Sequence, residues 1–206
     1  MTLKLDPEDR DTDSSLVHAV VVGMIRKQQR ENVPPLSAEI LADFWPAFEQ
    51  SHALPGFQSL LLRCLVANQS LASLRLFAEL FVSEHALDTR FCMEIFSDLL
   101  KLASPPTEAM FPGLLQGLNN PRVAPFVLDY ANFVFRKGLV LPHPASQQIQ
   151  ELTGLLSKLS ERLGAIQDIR PETDDEARRL GKQVTEAVSL GVSLCDALAC
   201  IGDPIA

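Results

Sequence analysis

AEILADFW, residues 38–45, returns as MEIFSDLL at residues 93–100. Glu39, Ile40 and Asp43 recur as Glu94, Ile95 and Asp98, an offset of 55 residues. Leu61, Leu62, Leu65 and Ala78 recur as Leu114, Leu115, Leu118 and Ala131, an offset of 53. A two-residue difference in one loop reconciles the offsets. Residues 36–83 and 91–136 therefore read as two copies of a three-helix unit. A helical copy that cannot close its own core has to stack on its neighbour. The expected fold is all-α, a right-handed solenoid-like array of about nine or ten helices of ordinary length.

Composition agrees. The chain has 206 residues, 47% of them hydrophobic and 21% charged, enough apolar surface to offset ordering entropy by burial. The formal net charge is −8. Asp6, Glu8, Asp9, Asp11 and Asp13 crowd residues 1–13, which read as a disordered acidic tail. A nucleic-acid backbone repels such a chain, and no basic stripe offsets this. The four cysteines lie in apolar helical patterns without a CxxC pair, as buried reduced thiols of a cytoplasmic protein do. The N-terminus lacks the pattern of a signal peptide, and the early apolar run Leu16–Ile25 is too short to span a membrane.

Punctuation sets the elements. Ser14 or Ser15 can cap a first helix through Ile25, and Pro34-Pro35 ends it. Ser37 can cap a second, which Pro46 should kink or shorten. A third follows Pro55-Gly56, and Asn68-Gln69-Ser70 separates it from a fourth. Asp88 can cap a fifth, ended by Pro105-Pro106. Residues 107–118 form a sixth, shortened by Pro112, and Pro121 begins a seventh that stops at Gly138. No strand pattern appears.

Residues 144–166 form an eighth helix. Ile149, Leu152, Leu156, Leu159, Leu163 and Ile166 make a narrow seam. Such a seam serves a coiled-coil dimer or an intramolecular helix pair, and so few heptads favour the pair. Self-association through Ile149–Ile166 stays open. A charged connector at 168–179 leads into the last apolar helix, capped by Thr173 or Asp174, which Gly181 and Gly191 weaken and could divide.

The end of that helix carries a resemblance. Leu194-Cys-Asp-Ala-Leu-Ala-Cys-Ile-Gly-Asp-Pro204 pairs an Ala/Leu-rich helix with a Gly-Asp-Pro turn. Gly202 can end the helix, and Asp203 can cap one that Pro204 begins. Residues 189–206 resemble the first helix and turn of a HEAT repeat. Residues 36–136 resemble HEAT or armadillo stacks in layout, with a longer period. The resemblance implies an α-solenoid whose faces bind proteins, a natural chain that continues past Ala206, and no catalytic residues. The organisation expected is a tail (1–13), a helical-repeat domain (14–167) and C-terminal helices that begin a HEAT-like repeat (168–206).

No residue pattern announces chemistry. His18, His52, His85 and His143 stand apart from one another and from the cysteines, so no local metal clamp is expected, and no cofactor motif is present. His143, between Pro142 and Pro144, reads as turn material. Glu39 and Asp43 share one helix face, as do Glu94 and Asp98. These four carboxylates are the candidate partner-binding residues, and Arg63, Arg75 and Arg136 are candidates to pair with them. Trp45 and Tyr130 could anchor a partner, but their apolar neighbours make burial the default. The expected function is a non-catalytic scaffold or adaptor for an unidentified protein partner, engaging neither nucleic acid nor membrane. The alternative is a lyase-like helical-repeat enzyme accessory that holds a small ligand or metal between helices.

Overall fold

The computed structural model describes residues 23, 35–51, 54–83, 89–101, 107–167 and 169–202. Among them lie eight α-helices, three short 3-10 segments and no strand. The helices are α1 (Ala38–Gln50), α2 (Pro55–Asn68), α3 (Leu71–Phe81), α4 (Thr89–Lys101), α5 (Phe111–Leu114), α6 (Ala124–Arg136), α7 (Ile149–Gln167) and α8 (Asp174–Gly202). The count is slightly below the nine or ten expected. The helix expected at 16–25, the tail at 1–13, the cap at Asp88 and the turn at 203–206 lie outside the described residues. The chain forms two compact units, Met1–Gly113 and Leu114–Ala206. The charged connector lies inside the second.

In the first unit α2 is the hub. Its sequence has almost no polar stripe, and Leu60, Leu61, Leu62, Cys64, Leu65 and Val66 are all buried. A helix apolar all round must be covered all round. Helices α1, α3 and α4 pack against it. Each contributes an amphipathic stripe: Phe44 and Phe48 from α1, Leu74, Phe77 and Phe81 from α3, and Cys92, Ile95, Phe96 and Leu99 from α4. Phe81 lies edge-on to Phe96, with ring centroids 5.1 Å apart. The buried Gln58 side chain donates to the Phe48 carbonyl at 3.0 Å, satisfying the C-terminal end of α1 from α2. Buried Ser59 is different, since its hydroxyl has no hydrogen-bond partner.

The caps form as their residues dictate. Ser37 accepts from the Ile40 amide at 3.3 Å, and Ser70 from the Ser73 amide at 3.1 Å. Pro46 lies on the exposed side of α1 and does not end it. Gln69 takes the left-handed conformation (φ 56°) that closes α2. The expected helix at 107–118 is instead three pieces, 3-10 at Thr107–Ala109, then α5, then 3-10 at Leu115–Asn119. Pro112, Gly113 and Gly117 explain the break. Gly113 also permits a close approach, since a Cβ there would stand 2.9 Å from the Ala78 Cβ.

In the second unit α8 packs on both α6 and α7. Val127, Leu128, Tyr130, Ala131 and Val134 form the buried stripe of α6. Gly138 (φ 66°) ends it, with Gly138 N–H bonded to Phe135 O and Leu139 N–H to Val134 O, a Schellman closure. Leu152 and Leu159 of the α7 seam are buried, and α7 pairs with α8 within the chain. Thr173 caps α8, accepting from the Glu176 amide at 3.2 Å. Helix α8 is not divided at Gly181 or Gly191; it runs unbroken for 29 residues. Its buried residues, Leu190, Ser193, Leu194, Ala197 and Cys200, all lie in the C-terminal half. Packing there outweighs the low helix propensity of glycine.

Gly113→Ala should lower stability by about 1–3 kcal/mol in urea denaturation, because the Ala78 methyl has to move. Ser59→Ala should leave stability unchanged or raise it by up to about 1 kcal/mol, because a buried hydroxyl without a partner is removed.

Candidate functional site

The four carboxylates singled out from the sequence separate in use. Glu39 and Asp43 project from the exposed face of α1. On α4, Glu94 meets Arg90 at 3.4 Å across a helical turn. Asp98 is structural, since Arg63 of α2 donates to it at 2.7 Å and Lys101 lies 3.4 Å away. No three His, Cys, Asp or Glu among the described residues gather as metal ligands would. Arg63 does pair with one of the expected acids, whereas Arg136 pairs with Asp196.

Trp45 is not buried. It is 38% exposed on α1, and its indole N–H donates to Glu49 at 2.9 Å. Phe44 and Phe48 take the core-facing positions, which leaves position 45 on the flank. Tyr130 is buried, as its apolar neighbours imply. Of the cysteines, Cys64, Cys92 and Cys200 are buried, while Cys195 is exposed.

The second unit holds a polar network that the sequence did not announce. His143 is buried against α6, with its ring edge-on to Phe135 at 5.3 Å. The Ala145 amide donates to its Nδ1 at 3.2 Å. An accepting Nδ1 carries no proton, so Nε2–H is the donor to Asn132 Oδ1 at 3.0 Å. That orients the amide of Asn132, whose Nδ2 donates to Asp196 of α8 at 3.3 Å. Arg136 also grips Asp196. Asp129, one turn before Asn132, is hydrogen-bonded by Ser193 of α8. Two helices and a loop are thus joined through one carboxylate. His143 is far more than turn material.

Burial pushes the His143 imidazole down to about 4, although the nearby Asp196 charge pulls the other way. Burial raises Asp129, the Ser193 hydrogen bond opposes this, and the Asp196 charge adds to the rise. Both His143 nitrogens are committed to the protein, which suits a tie rather than a proton carrier. The only sequence signal for this network was Asp196 itself, the single charge between Ala187 and Gly202.

An open apolar groove of about 830 Å³ runs between α7 and α8. Leu156, Leu159 and Leu163 line one side, and Val188, Val192 and Cys195 the other. Val188 and Val192 are 50% and 64% exposed. Helix α8 is also long and apolar enough to cross a membrane, by length and composition alone.

No family model, curated protein or solved structure matches this chain. The class that the fold defines is an all-α protein.

Two outcomes are expected. The folded His143 value lies below the ordinary 6.5, so its stabilising contribution is complete above pH 6.5 and lost as pH falls toward 4. Urea denaturation should show a loss of about 3 kcal/mol across that window, partly offset by the opposite sign at Asp129, and a shallower slope for His143→Gln. Asp98→Asn should cost about 1–2 kcal/mol with Arg63 present, and less in an Arg63→Met background, as a double-mutant cycle would read.

Proposed function

We propose that this chain is a non-catalytic protein-interaction scaffold, an α-solenoid-like array of the HEAT and armadillo kind working in the cytoplasm. The observation that carries the reading is Trp45. A large amphipathic ring stands half out of an acidic helix face, beside Glu39, Asp43 and Glu49. Exposed Trp is a frequent anchor of protein interfaces, because its area is large and few rotamers are lost. The acidic surroundings and the net charge of −8 favour a basic segment of a partner protein. The repeat reading draws support from register: α3 begins at Leu71 and α6 at Ala124, the same 53-residue offset as the sequence match. Cysteines held as thiols, three of them buried, fit a reducing compartment. The ligand-holding enzyme accessory has no such observation behind it, since its four carboxylates do not form a ligand cluster.

Trp45 is the only tryptophan, so its fluorescence reports directly on this face. Titration with a cationic Lys/Leu amphipathic peptide should blue-shift the emission. Added salt should weaken the binding, and Glu39→Lys with Asp43→Lys should weaken it by about tenfold. An emission maximum that stays fixed to saturating peptide would rule out this docking face.

A further inference from the structure

The loop between α6 and α7 is held to the second unit by few side chains. Val140, His143 and Ala145 are buried, whereas Leu139, Leu141 and Pro142 are exposed. His143 is the polar anchor of these three. Further along, Gln148 has a buried Oε1 without a hydrogen-bond partner. Such an acceptor costs free energy until water reaches it, so this loop opens more easily than a fully paired one.

The His143 ring accepts from the Ala145 amide at 3.2 Å and donates to Asn132 at 3.0 Å. Only a neutral ring can do both. A proton on Nδ1 sets two N–H donors against each other and places a charge on a residue that is 1% exposed. Between Gly138 and Glu151 His143 is the only titratable side chain, so its own loop offers no counter-charge. The neighbouring helices bring Asp129, Arg136 and Lys137 from α6, and Asp196 and Cys200 from α8. Ser193 bonds Asp129, Lys137 lies over the Phe133 ring, and Arg136 bonds both Asp196 and Cys200. Asp196 attracts an imidazolium, yet it already accepts from Arg136 and Asn132.

We infer that His143 is an acid-operated latch, whose protonation expels the ring, opens the loop and loosens the C-terminal half of α8 while the first unit stays folded. The loosening follows from the chain of bonds. Once the ring leaves, the buried Asn132 amide loses the donor that orients it. Asp196 then keeps only Arg136, whose side chain is 56% exposed and open to screening by salt. Burial holds the ring neutral until pH falls toward about 4, so the latch is closed in neutral solution and opens in acid.

Hydrogen exchange of the full chain at about pH 7 and about pH 4, corrected for the chemical exchange rate and read by mass spectrometry, tests this. In acid, residues 139–148 and 187–202 should exchange about tenfold faster, while residues 55–68 of α2 keep their protection. His143→Gln should abolish the acid response, since its amide can donate to Asn132 and accept from Ala145 but takes up no proton. If that variant fails to fold, the wild type still decides: the His143 ring, followed by nuclear magnetic resonance, should titrate with the same midpoint as the opening. A rise in exchange that is uniform over both units overturns the inference, because it reports global unfolding. So does an α8 that stays protected while His143 titrates, or a folded His143→Gln that opens in acid as wild type does. None of these outcomes bears on the Trp45 face, so that reading stands or falls separately.

Discussion

Burial on every side of α2 is the constraint from which the first unit follows. A helix carrying Leu60, Leu61 and Leu62 in succession cannot turn a face to water, so three neighbours have to close around it. Each fully buried leucine is worth about 1.5–3 kcal/mol, far more than any surface pair nearby. Once α2 is enclosed, the outer helices need only one stripe each. Their remaining faces are free to carry Glu39, Asp43 and Trp45. The polar ties that do cross onto α2, Gln58 to the end of α1 and Asp98 to Arg63, fix position more than they add energy.

Helix α8 solves the opposite problem. Its first half is charged and solvated, and its second half is buried along one stripe and bare along another. Hydrophobic contact alone would let such a helix slide or rotate on α6 and α7. The Asp196 carboxylate removes that freedom. It is reached by Arg136 directly and by His143 through Asn132, so two independent directions fix one point on the helix. Directional bonds thus choose among apolar packings of similar energy, which non-directional burial cannot do.

Much of this was legible from residues, and the illegible part has a common cause. Ser37, Thr173 and Gly138 announced helix ends, because caps and positive-φ closures are local chemistry. The α7 seam announced a helix pair by its spacing. The break at 107–119 was read too smoothly, since Pro112, Gly113 and Gly117 act together. The unbroken α8 was read as too fragile, because propensity is a weak term beside tertiary packing. Trp45 was assigned to the core by its apolar neighbours, although Phe44 and Phe48 already fill the inward positions. The His143 network could not be read at all. Its members are 64 residues apart at the widest hydrogen bond, and nothing in a sequence states which distant carboxylate an amide will face.

Placement of charge now separates two kinds of surface. An exposed ring amid carboxylates attracts from a distance and discriminates by sign, at the cost of sensitivity to salt. A mostly apolar groove attracts only on contact and discriminates by shape. In a chain this acidic the two cannot substitute for each other. The one carboxylate lining that groove, Asp196, is held by Arg136 and Asn132. The same bonds that set the rotation of α8 therefore also set the electrostatic character of the face it leaves exposed.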